Sequence, residues 1–220
     1  MDQASDSELF ELMRAHLFTA IIGDVLDRNG YQHQFLPPEC RPLHPAMIVC
    51  GRAMTVHEKD VAELPDPPFG LMLKALDSLK QDDVYVAAGG SSRYAYWGEL
   101  MSTAAQARGA AGAVLAGPAR DTNGILALNF PTFCYGSYAQ DQRGRGMVTD
   151  FRIPLRVGAV TIAPGDIVFG DIDGVVVLPR ALENDVVSTA LEQVRKEKTA
   201  RRMLAEGASA EMVFLETGVL

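Results

Sequence analysis

The spacing of apolar and polar positions predicts a strand, a helix and a second strand in the middle of the chain. An unbroken apolar run from Val84 to Ala88 ends at a glycine pair, which is typical of a buried strand. A helix is predicted from about Gly98 to Arg108, and its apolar residues recur at a spacing that puts them on one face: Leu100, Met101, Ala104 and Ala105. A second buried strand is predicted over residues 113–116. Because a helix connects the two strands, they should run parallel.

The flanking patterns predict helices at both ends of the chain. Ser5 and Glu8 have the spacing of a capping box, and Thr19 is expected to cap the next helix. Near the other end, apolar residues at helical spacing are followed by glycine. The four terminal helices are predicted over residues 5–15, 19–29, 182–205 and 209–217.

Short apolar runs separated by turn residues predict further strands. Gly51 lies inside the first of these runs and indicates a bulge, and a helix over residues 70–80 leads into the central unit. The glycine-rich segment 135–148 is predicted to be an exposed or site-facing loop, and residues 124–129 fit no single element. With no repeat and no domain boundary, residues 1–220 are predicted to form one domain. The additional strands are predicted over residues 46–57, 131–134, 155–162, 167–170 and 175–178.

Composition narrows the classes of partner. The 220 residues carry a formal net charge of −8 without any run rich in lysine or arginine, which excludes nucleic acid and anionic membrane as the main partner. No apolar run approaches the length of a membrane span. The three cysteines are odd in number and lack metal-site spacing, which predicts reduced thiols. Together with an acidic N-terminal stretch that has no signal-peptide core, they predict a cytoplasmic protein.

Candidate chemistry lies where the two central strands end. Ligands of parallel sheets gather at the carboxyl ends of the strands, and the helix at Gly98 begins there with free backbone N–H groups that suit an anion. Arg120 and Asp121 follow the second strand at the same edge. Such a pair is often only structural, but here it would suit a small carboxylic acid beside a metal ion. Magnesium is typically held by one or two carboxylates, with water and substrate oxygens completing its shell.

Other catalytic classes find less support. The chain has no G-x-S-x-G motif and no evident histidine partner for a cysteine nucleophile. Its five lysines all lie outside the predicted strands, which disfavours a Schiff-base mechanism. A methyltransferase is excluded because no glycine-rich nucleotide-binding turn is followed by a ribose-binding acid.

Three linked motifs resemble the RraA-like family. They are GDVLDRNG near the N-terminus, WGELMSTAAQARGAAGAVLAGPARD in the centre and PGDIVFGDIDGVVVLP downstream, so the resemblance covers most of the chain. The family includes class II aldolases that act on 4-hydroxy-4-methyl-2-oxoglutarate and 4-carboxy-4-hydroxy-2-oxoadipate, and regulators of ribonuclease E activity. The resemblance implies an α/β fold of the β/β/α swivelling-domain type, a sandwich with mixed sheets and flanking N- and C-terminal helices, assembled as homotrimers or homohexamers.

The resemblance also assigns roles to residues. Arg120 corresponds to the arginine that binds the pyruvyl group, and Asp121 to the carboxylate that holds a divalent metal, Mg²⁺ or Mn²⁺. Glu99 takes the acidic position near the metal. The backbone amides that would seat the substrate carboxylate belong to Gly98, Leu100 and Met101.

Three positions leave the substrate open. A neighbouring subunit's glutamate is expected at the metal, with Glu197 the first candidate and Glu192 the second. Many family members carry an acidic residue at the place of Gly124, so the glycine here weakens the usual metal shell. Arg93 is a candidate for a distal substrate carboxylate, or else an ordinary solvated arginine.

Two functions therefore remain in view. The first is a metal-dependent C–C lyase, either a 4-hydroxy-2-oxo acid aldolase or an oxaloacetate decarboxylase, since both reactions form the same pyruvate enolate. The second is a non-catalytic protein-binding regulator on the same fold.

Overall fold

The structure is a computed structural model that describes residues 5–220. These residues contain ten strands: β1 (Arg41–Pro42), β2 (Val49–Asp60), β3 (Asp83–Ala88), β4 (Gly112–Leu115), β5 (Thr132–Cys134), β6 (Gly146–Phe151), β7 (Leu155–Val157), β8 (Val160–Ile162), β9 (Ile167–Asp171) and β10 (Gly174–Leu178). The same residues contain seven α-helices: α1 (Asp6–His16), α2 (Thr19–Arg28), α3 (Met72–Asp77), α4 (Glu99–Ala107), α5 (Thr122–Ala127), α6 (Glu183–Ala205) and α7 (Ala210–Thr217).

A mixed sheet forms the centre of the molecule. Its strands run in the order β1–β5–β4–β3–β2–β9–β10, and β6 also pairs with β2. The four strands β2, β3, β4 and β5 are mutually parallel, whereas β1, β6, β9 and β10 pair antiparallel with their neighbours. The strands β7 and β8 form a separate hairpin. The predicted α/β fold with mixed sheets and flanking helices is therefore confirmed.

The strand β3 shows how alternation distributes the core. All six of its residues are buried, as expected of a parallel strand covered on both faces. Tyr85 and Ala87 pack with side chains of α3, α4 and α5, whereas Val84 and Val86 pack with those of the β7–β8 hairpin. A third cluster joins α1, α2 and α6 to β9 and β10. The helices α3, α4 and α5 thus share one layer of core, and the terminal helices share another.

The central prediction holds, with small shifts at the element ends. The strands β3 and β4 are parallel, with Val84 beside Gly112, and α4 lies between them in sequence. The capping box is also present, because the Ser5 hydroxyl accepts from the backbone N–H of Glu8 and the Glu8 carboxylate accepts from that of Ser5. These features depend on short stretches of sequence, which is why the pattern identified them.

Several local predictions were wrong. Gly51 pairs regularly with Val168, and the irregular register in β2 lies instead between His57 and Glu58. A Cβ at Gly51 would lie 2.2 Å from the carbonyl oxygen of Asp82, so close approach of backbone explains this glycine. The end of the predicted 135–148 loop begins strand β6, and the predicted strand 155–162 is the hairpin β7–β8. Residues 124–129, for which no element was predicted, overlap α5.

The cap of α2 comes from a distant strand. Thr19 is the first residue of the helix rather than its cap, and Phe18 at the cap position makes no side-chain hydrogen bond. The carboxylate of Asp171, at the end of β9, accepts the Thr19 backbone N–H at 2.8 Å and the Thr19 hydroxyl at 2.7 Å. One side chain therefore satisfies a helix end and joins that helix to the sheet.

Replacing Asp171 with alanine is expected to lower the free energy of unfolding by about 2 kcal/mol, because a buried N–H and a buried hydroxyl lose their acceptor. Guanidinium denaturation followed by circular dichroism measures the change. Asp24→Ala is the matched control, since Asp24 is exposed on the same helix and should change stability by less than about 0.5 kcal/mol. Equal stabilities of the two variants would contradict the capping role.

Candidate active site

The site is built by three loops that follow neighbouring parallel strands. In the loops that follow β3, β4 and β5, isolated bridges join Trp97 to Ala119 and Ala119 to Ser137. The backbone N–H of Arg120 donates to the carbonyl oxygen of Trp97 at 2.9 Å. The loops after the strands are thus held side by side by backbone pairing. This pairing places Arg120 and Asp121 beside the start of α4.

Gly98 allows two charged side chains to lie against the backbone at that point. A Cβ added to Gly98 would lie 2.7 Å from Oδ2 of Asp121 and 3.4 Å from Cγ of Arg120. Gly98 is also the N-cap residue of α4, and no side chain caps the helix. The structure thus brings together the helix N-terminus, the guanidinium and the carboxylate that the sequence placed at this edge.

The backbone of Asp121 is held in an uncommon conformation. Its φ of 55° and ψ of 36° lie in the left-handed region, which costs a non-glycine residue about 1–2 kcal/mol. Its carbonyl oxygen accepts from the N–H of Gly124 at 2.9 Å, so Asp121 also begins α5. Such strain is typical of functional positions, because the surrounding structure must maintain it.

Arg120 lies between two carboxylates without a short hydrogen bond to either. Its Nε is 3.6 Å from Oδ2 of Asp121, and its Nη1 is 3.5 Å from Oδ1 of Asp141. The Arg120 side chain is 39% exposed, so these long contacts in partial solvent contribute little stability. The guanidinium therefore retains N–H donors for a ligand.

These groups face a cavity of about 330 Å³. Its polar end contains Arg120, Asp121 and Asp141, and its other walls come mainly from apolar side chains of α4 and of the segment around α3. Leu100 and Leu73, at 80% and 60% exposure, lie at its open side. The size is at the lower end of small-molecule sites, which span roughly 300–1,000 Å³.

The apolar stripe of α4 divides between core and cavity. Ala105 is fully buried in the core, whereas Leu100, Met101 and Ala104 line the cavity. The helical spacing of these four apolar residues was predicted correctly. Three of them line the cavity, however, and only Ala105 is fully buried in the core. The backbone amides of Leu100 and Met101, in the first turn, lie at the same site.

Glu99 is placed by the glycine in α5. A Cβ added to Gly124 would lie 2.5 Å from Cγ of Glu99, so the Glu99 side chain lies in space that a larger residue at 124 would take. Its carbons pack on α5, next to the N-cap residue Asp121. The absence of a side chain at Gly124 therefore leaves room for the side chain of Glu99.

Other predicted residues lie elsewhere in the single chain. Arg93 lines a separate cavity with Arg145, and its Nη2 binds Oδ2 of Asp60 at 2.7 Å. Glu197 and Glu192 lie on α6 and line depressions near α7, away from Arg120. Any part that these glutamates take at Asp121 therefore requires a second copy of the chain.

The donors at the site fit a hard divalent cation. Within residues 5–220 no group of three or more His, Cys, Asp or Glu side chains could hold a metal by itself. Asp121 presents a half-exposed carboxylate in the cavity, beside Gly98. Carboxylate oxygen suits Mg²⁺ or Mn²⁺, and one such ligand is sufficient when water and substrate supply the rest. Asp121 is thus the residue that would hold the ion.

A buried carboxyl group lies behind the cavity wall. Glu58 is fully buried, and its Oε2 accepts from Nε2 of Gln142 at 2.6 Å. Burial raises the pKa of Glu58 to about 8, with a further contribution from Asp60, against the opposing effect of the Gln142 hydrogen bond. Its Oε1 and the hydroxyl of Tyr85 have no partner within the described part of the chain. Glu58 is therefore protonated at neutral pH.

Sequence patterns did not identify Asp141, Gln142 or Glu58 as site residues. Asp141 and Gln142 lie in the glycine-rich loop that was predicted to be exposed or site-facing, but no spacing singled them out. Glu58 lies at the end of an apolar strand, where a glutamate among apolar residues was the available signal.

Comparisons with known proteins show which family the chain resembles. The family model described as "RraA-like: Aldolase/RraA" matches residues 19–177. A protein of Halalkalibacterium halodurans, provisionally named 4-hydroxy-4-methyl-2-oxoglutarate aldolase, is 32% identical over 90% of this chain and 90% of its own. A crystal structure of an uncharacterized Pseudomonas syringae protein is 28% identical, with a TM-score of 0.82 over 94% of this chain and 96% of that one.

A more distant structure extends the likeness of fold. Streptomyces coelicolor RraAS2, described as an unusual member of the RNase ES inhibitor RraA protein family, is 23% identical. It superposes with a TM-score of 0.79 over 90% of this chain and 98% of its own. At that identity the likeness concerns the fold alone. Within residues 5–220, no helix has both the length and the apolar character needed to cross a membrane.

Proposed function

Because this chain belongs to the RraA-like family, we propose that it is a divalent-metal-dependent C–C lyase that releases pyruvate from 2-oxo acids. Its substrates would be 4-hydroxy-2-oxo acids, oxaloacetate or both. The observation that supports this most strongly is the approach of Arg120 and Asp121 to Gly98, inside one cavity, at the uncapped start of α4.

The chain's own residues would hold the 2-oxo acid end of the substrate. The amides of Leu100 and Met101 donate to its carboxylate, where the positive end of the helix dipole favours an anion. The Arg120 guanidinium donates to the 2-oxo oxygen. As the bond between C3 and C4 breaks, its electrons move toward that oxygen, so Arg120 binds the transition state more strongly than the substrate.

Asp121 would hold the metal ion beside the same oxygen. A divalent cation supplies Lewis-acid stabilisation of negative charge there when it is bound. Oδ1 of Asp141 lies 3.5 Å from Nη1 of Arg120, where it would help to orient the guanidinium. Aldol cleavage and decarboxylation put charge on the same oxygen, so one arrangement serves both reactions.

The alternative is a non-catalytic regulator that binds other proteins; the Streptomyces protein described above is named as an unusual member of an RNase ES inhibitor family. A binding surface has no need of a strained aspartate, or of a guanidinium held loosely inside a cavity. These features favour the enzyme.

The proposal includes self-association in the cytoplasm as a homotrimer or homohexamer. In such an assembly Glu197, or Glu192, of a neighbouring copy would complete the ligands around Asp121. The position of both glutamates on α6, outside the cavity of their own chain, is consistent with it.

Metal-dependent pyruvate release is the test of the proposed activity. Protein incubated with oxaloacetate and Mg²⁺ or Mn²⁺ should release pyruvate well above the protein-free rate, and a chelator should reduce release to that rate. A lactate dehydrogenase coupled assay measures it. The matched variant Asp121→Asn keeps the size of the side chain but removes its negative charge. It should lose most of the metal-dependent rate of pyruvate release. If pyruvate release from oxaloacetate and from several 4-hydroxy-2-oxo acids is no faster with protein than without it, the result would instead support the regulator.

A further inference from the structure

The cavity beyond the charged residues is lined by apolar side chains. The segment around α3 contributes Phe69, Met72, Leu73 and Leu76, and α4 contributes Leu100 and Met101. Met72 and Leu76 are buried at 7% and 6% exposure, so they form a packed floor rather than a flexible rim. A ligand held at Arg120 would extend across this apolar surface.

The charged side chains that line the cavity all lie together at its polar end. They are one cation, Arg120, and two anions, Asp121 and Asp141. Arg120 lies between both carboxylates and is the group that would bind the 2-oxo oxygen. A second carboxylate at the far end of a substrate would therefore meet no free cation among the residues that line the cavity.

Arg93, predicted as a possible partner for such a carboxylate, does not line this cavity. It lies with Arg145 in a separate one and binds Asp60 through Nη2 at 2.7 Å. An unpaired carboxylate moved from water onto apolar side chains loses hydration without compensation. The part of the wall that this chain supplies thus disfavours a distal charge and favours hydrocarbon.

From this wall we infer the substrate class: a 4-hydroxy-2-oxo acid with an uncharged, apolar substituent at C4. The inference rests on the proposed lyase function. Cleavage of R–CH(OH)–CH₂–CO–COO⁻ breaks the C3–C4 bond, converts the hydroxyl-bearing carbon to the aldehyde R–CHO, and leaves the electron pair in the pyruvate enolate. The hydroxyl proton is removed and one proton returns to C3, so the products are R–CHO and pyruvate with no other reactant.

Three substrates that differ only at C4 test the inference. They are 4-hydroxy-2-oxooctanoate, with a butyl group, 4-hydroxy-2-oxopentanoate, with a methyl group, and 4-hydroxy-2-oxoglutarate, with a carboxylate. With Mg²⁺ present, kcat/KM for the octanoate should exceed that for the pentanoate about fiftyfold, because three more methylenes are buried. It should exceed that for the glutarate about a hundredfold.

A cation introduced at the open side of the cavity should reverse part of this preference. Leu100 is 80% exposed, so Leu100→Arg keeps the fold and the backbone amide while adding a guanidinium near the apolar wall. It should raise kcat/KM for the glutarate relative to the octanoate about tenfold. Leu215→Arg is the matched control, since Leu215 on α7 is 79% exposed and lies outside the cavity lining; it should leave the ratio unchanged.

Failure of the inference and failure of the proposed function are distinguishable. If the glutarate is cleaved as well as or better than the octanoate, the enzyme stands and the apolar substrate class is wrong. If no substrate and no oxaloacetate yields pyruvate, the lyase proposal fails. Calorimetry then tests the apolar wall separately from catalysis. The 2-oxo acid 2-oxooctanoate should bind about tenfold more tightly than 2-oxoglutarate. Equal or reversed affinities would show that the wall does not favour an apolar substituent.

Discussion

Replacing Arg120 with alanine is expected to lower kcat for pyruvate release about a hundredfold or more, with the fold unchanged. The guanidinium is the cation among the residues that line the cavity, and in the proposed reaction it would face the oxygen where charge appears during bond cleavage. Loss of one donor to a developing oxyanion typically costs about 10²–10³ in kcat. The long contacts of Arg120 with Asp121 and Asp141 contribute little to stability, so the effect should be confined to catalysis.

Steady-state kinetics with the best substrate, together with the melting temperature, test this expectation. Arg156→Ala is the matched control, because Arg156 is an exposed arginine on the β7–β8 hairpin, outside the cavity. It should retain the full rate. An Arg120→Ala enzyme with near-full kcat would remove Arg120 from the reaction, and an unfolded variant would show that the residue holds the loops together instead.

Replacing Glu58 with glutamine is expected to change how stability depends on pH. In the folded protein burial raises the pKa of Glu58 to about 8, from an ordinary value of 4.5. Below pH 4.5 the carboxyl is protonated in both states, and its contribution to stability is complete. As pH rises from 4.5 to 8 the unfolded chain ionises first, so stability falls, and above pH 8 it levels off because both states are ionised.

The size of this fall should be measurable. Between pH 5 and pH 8 the wild type should lose about 2–4 kcal/mol through Glu58, whereas Glu58→Gln should lose none of it. The glutamine oxygen can still accept from Gln142, so the variant should be more stable than the wild type at pH 8 and similar to it at pH 5. Chemical denaturation at several pH values gives both curves.

Glu63→Gln provides the comparison, because Glu63 is exposed in the loop after β2 and should leave the pH dependence unchanged. Identical curves for wild type and Glu58→Gln would mean that Glu58 is ionised in the folded state. Water would then have to reach the carboxyl that the structure shows buried behind Gln142.

Local sequence patterns determined the central strands and helix, and the edge of the sheet at which the candidate site residues lie. The unbroken apolar run Val84–Ala88 and the helical spacing after Gly98 are properties of a few neighbouring residues, and the capping box spans only Ser5 to Glu8. Parallel strands joined by a helix end at one edge, so Arg120 and Asp121 had to lie near the start of α4. No knowledge of distant contacts was needed for these conclusions.

What the tertiary structure alone decided is which distant segments meet. Asp171 caps α2 across the sheet, Asp141 reaches Arg120 from the β5–β6 loop, and Leu76 forms the cavity floor from α3. Glu58 became a protonated carboxyl because the layers closed over it. These relations depend on how layers pack, and side chains far apart in sequence carry no local periodicity that records their meeting. The amino-acid sequence therefore determined where Arg120, Asp121 and the start of α4 come together, and packing decided the apolar wall of the cavity beside them.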